Sequence, residues 1–324
     1  MENIIEVSGL RKKFPEVIAV KDINFNVKKG ELFGFLGPNG AGKSTTIQML
    51  CTLLKPSAGK AIVNGYNTLD NPGKVRKSIG LVFQESTLDE NLTAYENLKY
   101  HANFYGVEKQ KAKKRITEVL EMVQLTERKN SIVENFSGGM KRRLEIARGL
   151  LHYPKILFLD EPTIGLDPQT RNKIWDFIQN LKKEEDITIF LTTHYMDEAE
   201  YCDRIAIMDH GEIIASDSPE QLKANLGGDI IKTKVENKDE VKKEIENKYN
   251  VEVQEYKEYL TFEHNNGEEF IPVFVKDFKE QIKSITMQQP TLDDVFLNLT
   301  GREIRDEEAS ATDKMKNKMK KRGH

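Results

Sequence analysis

The stretch ELFGFLGPNGAGKSTTIQMLCTLL, residues 31–54, constrains this chain more than any other. A short apolar run is followed by a glycine-rich turn and then by a helical pattern. The turn is Gly37, Pro38, Asn39, Gly40, Ala41, Gly42, Lys43, Ser44 and Thr45, which fits G-x-x-x-x-G-K-[ST]. Gly37, Gly40 and Gly42 allow the backbone to curl until successive N–H groups face inward and make an anion nest. Lys43 can reach two phosphates as a point charge. The Ser44 hydroxyl can fill one position around Mg²⁺. A strand before the loop and a helix after it require a mostly parallel sheet flanked by helices.

The other strands of that sheet read as short apolar runs: IGLVFQ (79–84), KILFLD (155–160), ITIFLTT (187–193) and RIAIMD (204–209). Three of them deliver polar residues to the carboxyl end of the sheet, where such folds bind ligands. Asp160 is placed to hold a metal shell, and Glu161 to take a proton from an attacking water. Gln84 and His194 close two further runs, and His194 could reach a terminal phosphate. The remaining histidines, His101 and His152 among them, read as structural.

A second anion-binding pattern lies downstream, in ENFSGGMKRRLEIARG (134–149). Ser137, Gly138 and Gly139 precede the helical spacing Met140, Leu144, Ile146, Ala147, Leu150, Leu151. A helix N-terminus presents free N–H groups and the positive end of the dipole. Lys141, Arg142 and Arg143 read mainly as a solvated helix face, with one of them available to the phosphate or to an interface.

Three regions differ in pattern. Residues 1–226 form the sheet domain. Its opening segments, IIEVSGLRKKF and VKDINFNVKKG, alternate apolar and polar residues and so read as antiparallel strands with one wet face. From about 88 to 151 only helical patterns occur, which marks an inserted helical subdomain. Residues 227–300 read strand, helix, hairpin, helix, strand, a small α+β domain of about 75 residues. PTLDDVFLNLTG (290–301) closes it as an amphipathic helix with Leu292, Val295, Phe296 and Leu299 on one stripe. Residues 301–324 end KMKNKMKKRGH and read as a mobile charged tail, solvated or attracted to anionic lipid. Cys51 and Cys202 read as buried small hydrophobes in a reducing compartment. No run approaches membrane-spanning length, and MENIIEVSGL does not read as a signal peptide. A net charge of −3 argues against nucleic acid as a partner.

The set GPNGAGKST, Gln84, FSGGM, LFLDEP, GLD (165–167) and His194, in this order, resembles the nucleotide-binding domain of ABC transporters over residues 1–226. The resemblance implies a P-loop NTPase sheet domain with an antiparallel β subdomain and an inserted helical subdomain. Carried over residue by residue, it makes Phe14 the aromatic that stacks on adenine. Gln84 becomes the glutamine that touches Mg²⁺ or the attacking water, Ser137–Gly139 the signature, Asp167 the D-loop aspartate and His194 the switch histidine. Met140 departs from the family's usual Gln and loses one polar contact. The family packs two such domains head to tail, each ATP lying between one P-loop and the other copy's signature helix. It implies ATP and Mg²⁺, a second copy or homologous subunit, an integral membrane permease, and a place on the cytoplasmic face of the membrane. The C-terminal PTLDDVFLNLTG resembles ATPases of the daunorubicin-resistance, ABC-2-type exporter group. The alternative is a soluble mechanochemical ATPase acting on ribosomes or DNA. Those usually carry two such domains or a long coiled coil, and only about 95 residues lie between Lys43 and Gly138. A third possibility is that the C-terminal domain senses a small ligand and regulates the ATPase.

Overall fold

Alternating and continuous apolar patterns mark out two kinds of strand, and both occur. The computed structural model describes residues 2–300, apart from Lys257 and Glu280. The chain opens with the antiparallel strands β1 (Asn3–Lys13) and β2 (Ile18–Lys28). β3 (Leu32–Leu36) leads into α1 (Lys43–Leu50). β4 (Ala58–Val63), β5 (Tyr66–Asn67), α2 (Pro72–Ser78) and β6 (Ile79–Val82) follow. Then come three helices, α3 (Ala94–Phe104), α4 (Lys109–Met122) and α5 (Gly138–Leu150). β7 (Ile156–Asp160), α6 (Pro168–Glu184), β8 (Thr188–Thr193), α7 (Met196–Ala199), β9 (Arg204–Asp209) and β10 (Glu212–Asp217) complete a first compact unit.

Its main sheet has the order β10-β9-β3-β8-β7-β6, parallel throughout except for the edge strand β10. Every residue of β3, β7 and β8 is buried, as strands covered on both faces require. A second sheet, β2-β1-β4-β5, is antiparallel and alternates buried with exposed residues. The two share one core. Phe25 of β2 stacks on Phe33, and Phe35 meets Phe190 edge-on at 5.0 Å between centroids. Such a ring, fully buried, contributes about 1.5–3 kcal/mol of transfer free energy. Cys51 and Cys202 are buried free thiols.

The helices start where capping chemistry puts them. Thr93 and Glu96 form a reciprocal capping box on α3. Ser137 caps α5, and Asp167, followed by a proline at the first helical position, caps α6.

The second unit runs from Ser218 to Thr300 among the described residues. It contains α8 (Pro219–Ala224), β11 (Asp229–Val235), α9 (Lys238–Tyr249), β12 (Gln254–Tyr256), β13 (Tyr259–His264), α10 (Gly267–Asp277), β14 (Ile282–Gln288) and α11 (Leu292–Thr300). The sheet order β12-β13-β11-β14 makes a split βαββαβ unit of the ferredoxin-like kind. Phe262, Phe270, Phe274 and Phe278 fill its core. The division falls at Asp217/Ser218 rather than at 226/227, because α8 packs on α11. On α11, Leu292, Val295 and Phe296 are buried, but Leu299 is 43% exposed, so the expected four-residue stripe is three residues long. The basic tail lies outside the described residues. Among the described residues no helix is long and apolar enough to cross a membrane.

Candidate active site

The loop after β3 closes on its own lysine. Gly42 lies at φ +105° and a Cβ there would come within 2.5 Å of the Ala19 carbonyl, so only glycine fits this turn. Lys43 begins α1 and its Nζ folds back over the loop, donating to the Gly37 oxygen at 2.6 Å and the Pro38 oxygen at 3.0 Å. The ammonium is almost fully buried and also lies 3.6 Å from Glu161 Oε1. Asn39, Gly40, Gly42, Lys43, Ser44 and Thr45 line an open cleft of about 920 Å³. Ala41 sits behind it, its carbonyl accepting from the Gly211 N–H at 3.0 Å. Phe14, 37% exposed in the β1–β2 turn, forms the far wall with Val17 and Ile18. Lys12 Nζ stands 5.1 Å from the Phe14 ring centre.

Parallel pairing brings the polar strand ends together. Asp160 and Thr192 are register partners on β7 and β8. The Ser44 hydroxyl donates to Asp160 Oδ1 at 3.0 Å, and the Thr192 hydroxyl donates to the same oxygen at 2.6 Å. Glu161 follows at φ +46°, a left-handed conformation that costs of order 1–3 kcal/mol in a residue with a side chain. Its N–H donates to Thr192 Oγ1 at 3.0 Å, which helps hold the turn. Gln84 Nε2 donates to Glu161 Oε2 at 3.4 Å, and His194 Nδ1 lies 3.4 Å from that oxygen. Burial pushes the Glu161 carboxyl up, but hydrogen bonding from His194 and the Lys43 charge outweigh it. The group is held below the usual carboxylate range. Lys43, Gln84, Glu161 and His194 therefore form one cluster. β6 ends at Val82, so Gln84 reaches it from a loop rather than from a strand end.

The second anion pattern lies elsewhere. Ser137 and Gly138 are exposed at the start of α5, and among the described residues the cleft lining includes none of Ser137, Gly138, Gly139, Met140 or Asp167. Ser137 Oγ accepts from the Met140 N–H at 3.3 Å, and Asp167 Oδ1 accepts from the Thr170 N–H at 3.0 Å. Thr170 bonding holds the Asp167 carboxyl below its ordinary value. A Cβ on Gly139 would come within 2.4 Å of Thr170 Cγ2, so the two helix starts are packed side by side.

Arg142 corrects the solvated-face expectation. It is 6% exposed and its guanidinium donates to the carbonyls of Phe83, Asp160, Glu161 and Pro162 and to Glu145 Oε2. Nothing in the charge run KRR distinguishes it from Lys141. Thr192 was also missed, although a polar residue in an apolar strand is a signal.

A protein-family model described as ABC transporter matches residues 20–164. The chain is 41% identical over 312 residues to the linearmycin resistance ATP-binding protein LnrL of Bacillus subtilis, covering 94% of this chain and all of that one. The chain belongs to the ABC transporter family. This ABC ATPase is also 36% identical to the daunorubicin/doxorubicin resistance ATP-binding protein DrrA of Streptomyces peucetius, over 96% of this chain and 97% of that one. Among solved structures, the ATP-binding cassette MJ0796, a dimer in a post-hydrolysis state with ADP and Pi, is 32% identical. It covers 66% of this ABC ATPase and 98% of its own chain, with a TM-score of 0.60.

Proposed function

We propose that this ATPase powers an exporter through a reaction centre shared between two copies of the chain. The observation that carries the reading is the convergence of Lys43, Gln84 and His194 on the single carboxylate of Glu161. A triphosphate in the cleft would compete for Lys43 and bring negative charge of its own. Both changes raise the proton affinity of Glu161, so the carboxylate becomes a better base once nucleotide is bound. Glu161 then takes the proton of the attacking water, Gln84 orients that water, and His194 donates to the terminal phosphate. Phe14 offers its π face to adenine.

The oxygen donors suit a hard divalent cation: the Ser44 hydroxyl and the Asp160 carboxylate meet at 3.0 Å. Ser44, Asp160 and Gln84 would hold Mg²⁺, which when bound screens phosphate charge.

The exposed starts of α5 and α6 supply the other half. Ser137, Gly138 and Gly139 present helix N–H groups to the terminal phosphate of a second copy, with Asp167 at the same interface and Met140 at its edge. That MJ0796 is a dimer with ADP and Pi supports this arrangement. Two relatives matched nearly end to end are named for resistance to linearmycin and to daunorubicin and doxorubicin. They support export of drug-like compounds through a separate membrane permease, with the ATPase held peripherally on the cytoplasmic face. They do not favour a ribosome- or DNA-directed ATPase.

Glu161→Gln tests the reading. Turnover should fall by about 10²-fold or more while ATP still binds and a stable dimer accumulates in gel filtration. A variant that stays monomeric with ATP and turns over normally removes Glu161 from the role of base.

A further inference from the structure

Glu198, the third residue of α7, is 1% exposed and none of the roles above uses it. Its carboxylate is not idle. The Thr163 hydroxyl donates to Oε1 and the Thr193 hydroxyl donates to Oε2 at 2.6 Å. Arg171 Nε stands 3.9 Å from Oε1. These partners come from three segments that matter to the reaction. Thr163 follows the Asp160–Glu161 turn. Thr193 immediately precedes His194, and its carbonyl accepts from the Gly37 N–H at 3.3 Å. Arg171 lies one turn into α6, its N–H donating to the Asp167 carbonyl at 2.9 Å.

The same groups also reach His194 through its neighbour Tyr195. Thr193 Oγ1 accepts from the Tyr195 N–H at 3.0 Å. The Arg171 guanidinium lies 4.1 Å from the centre of the Tyr195 ring, and that ring sits 4.0 Å from the His194 ring. A buried carboxylate without partners would be costly, so the two hydroxyl donors, the Arg171 charge and the carboxylate hold one another in place.

We propose that Glu198 is a positioning residue for ATP hydrolysis, fixing His194 in register with the first turn of α6 through Thr193, Arg171 and Tyr195. The consequence is a rigid link between the face that meets the chain's own nucleotide and the helix start that carries Asp167. The proposal rests on the assignment of His194 to the terminal phosphate.

The test is steady-state ATP turnover in Glu198→Gln, which keeps the side chain's shape, beside His194→Ala, Arg171→Ala and the Glu198→Gln/His194→Ala double variant. Glu198→Gln should lower kcat about 10-fold with KM for ATP within about 2-fold, and Arg171→Ala should lower kcat about 3-fold. The double variant should be no slower than His194→Ala alone, because Glu198 acts through that histidine. Wild-type kcat in Glu198→Gln overturns the proposal. So does a double variant whose losses multiply, or a loss recovered by cooling in step with a lowered melting temperature. A wild-type rate in His194→Ala would instead sink the assignment of His194, and the link with it. Slow His194→Ala beside normal Glu198→Gln sinks the link alone.

Discussion

The two loops of the first unit proposed to meet phosphate differ in how far their charges are already answered. Around the P-loop, Lys43, Asp160 and Glu161 are buried and each is engaged by neighbours within the same chain. At the start of α5 and α6, Ser137 and Asp167 are exposed, and each caps its own helix. A buried set of charges must be satisfied internally or pay desolvation, so it forms a preorganised cluster. Exposed helix ends carry no such obligation and keep donors for a later partner. Arg142 joins the two regions, since its helix begins beside Ser137 while its guanidinium grips the carbonyls of Asp160, Glu161 and Pro162.

That contrast can be broken in order of size. Arg142→Met should destabilise most, by about 3–5 kcal/mol in urea unfolding, because it strands Glu145 and several buried carbonyls. Loss of less than about 1 kcal/mol would mean the two regions are not joined through this residue. Lys43→Ala should weaken ATP binding about 10- to 100-fold in equilibrium dialysis, as removal of one charged hydrogen-bond donor predicts. Retained affinity would take the loop out of the binding site.

Ser137→Arg probes the exposed side. ATP should bind a single copy within about 2-fold of wild type, while hydrolysis falls about 10-fold through the blocked helix end. Weakened binding by the isolated copy would place both loops in one chain's site and erase the contrast.

The smallest effect concerns pH and the helical insertion. Burial, then the Arg148 charge, depress His101 from 6.5 to about 4, and burial also depresses His152, which is stacked on Tyr105 at 4.0 Å. The unfolded chain therefore binds more protons than the folded one between about pH 6.5 and 4. Stability is complete above this window and falls as pH drops through it. Melting temperatures at pH 7 and pH 5 should differ less in His101→Gln than in wild type, and an unchanged difference would acquit the histidine.

The placement of much of this candidate site was legible because its signals are local. Loop spacing identified Lys43 and Ser44, an apolar run ending in acid identified Asp160 and Glu161, and capping residues identified the start of α5. Phe14, Asp167 and the role of His194 came from resemblance to a family rather than from periodicity. Arg142 and Thr192 were not legible, since their partners are carbonyls and a strand end distant in sequence.

The sequence by itself determined the main strands of the parallel sheet, the glycine-rich loop between β3 and α1 and the start of α5, because turn chemistry and capping act over a few residues. It also determined the six segments of the second unit's βαββαβ pattern. Only the tertiary structure decided the strand order β12-β13-β11-β14, the burial of Arg142 and the meeting of Lys43, Gln84, Glu161 and His194. Those depend on which strands lie side by side, and pairing across a sheet is a long-range choice that no local pattern encodes.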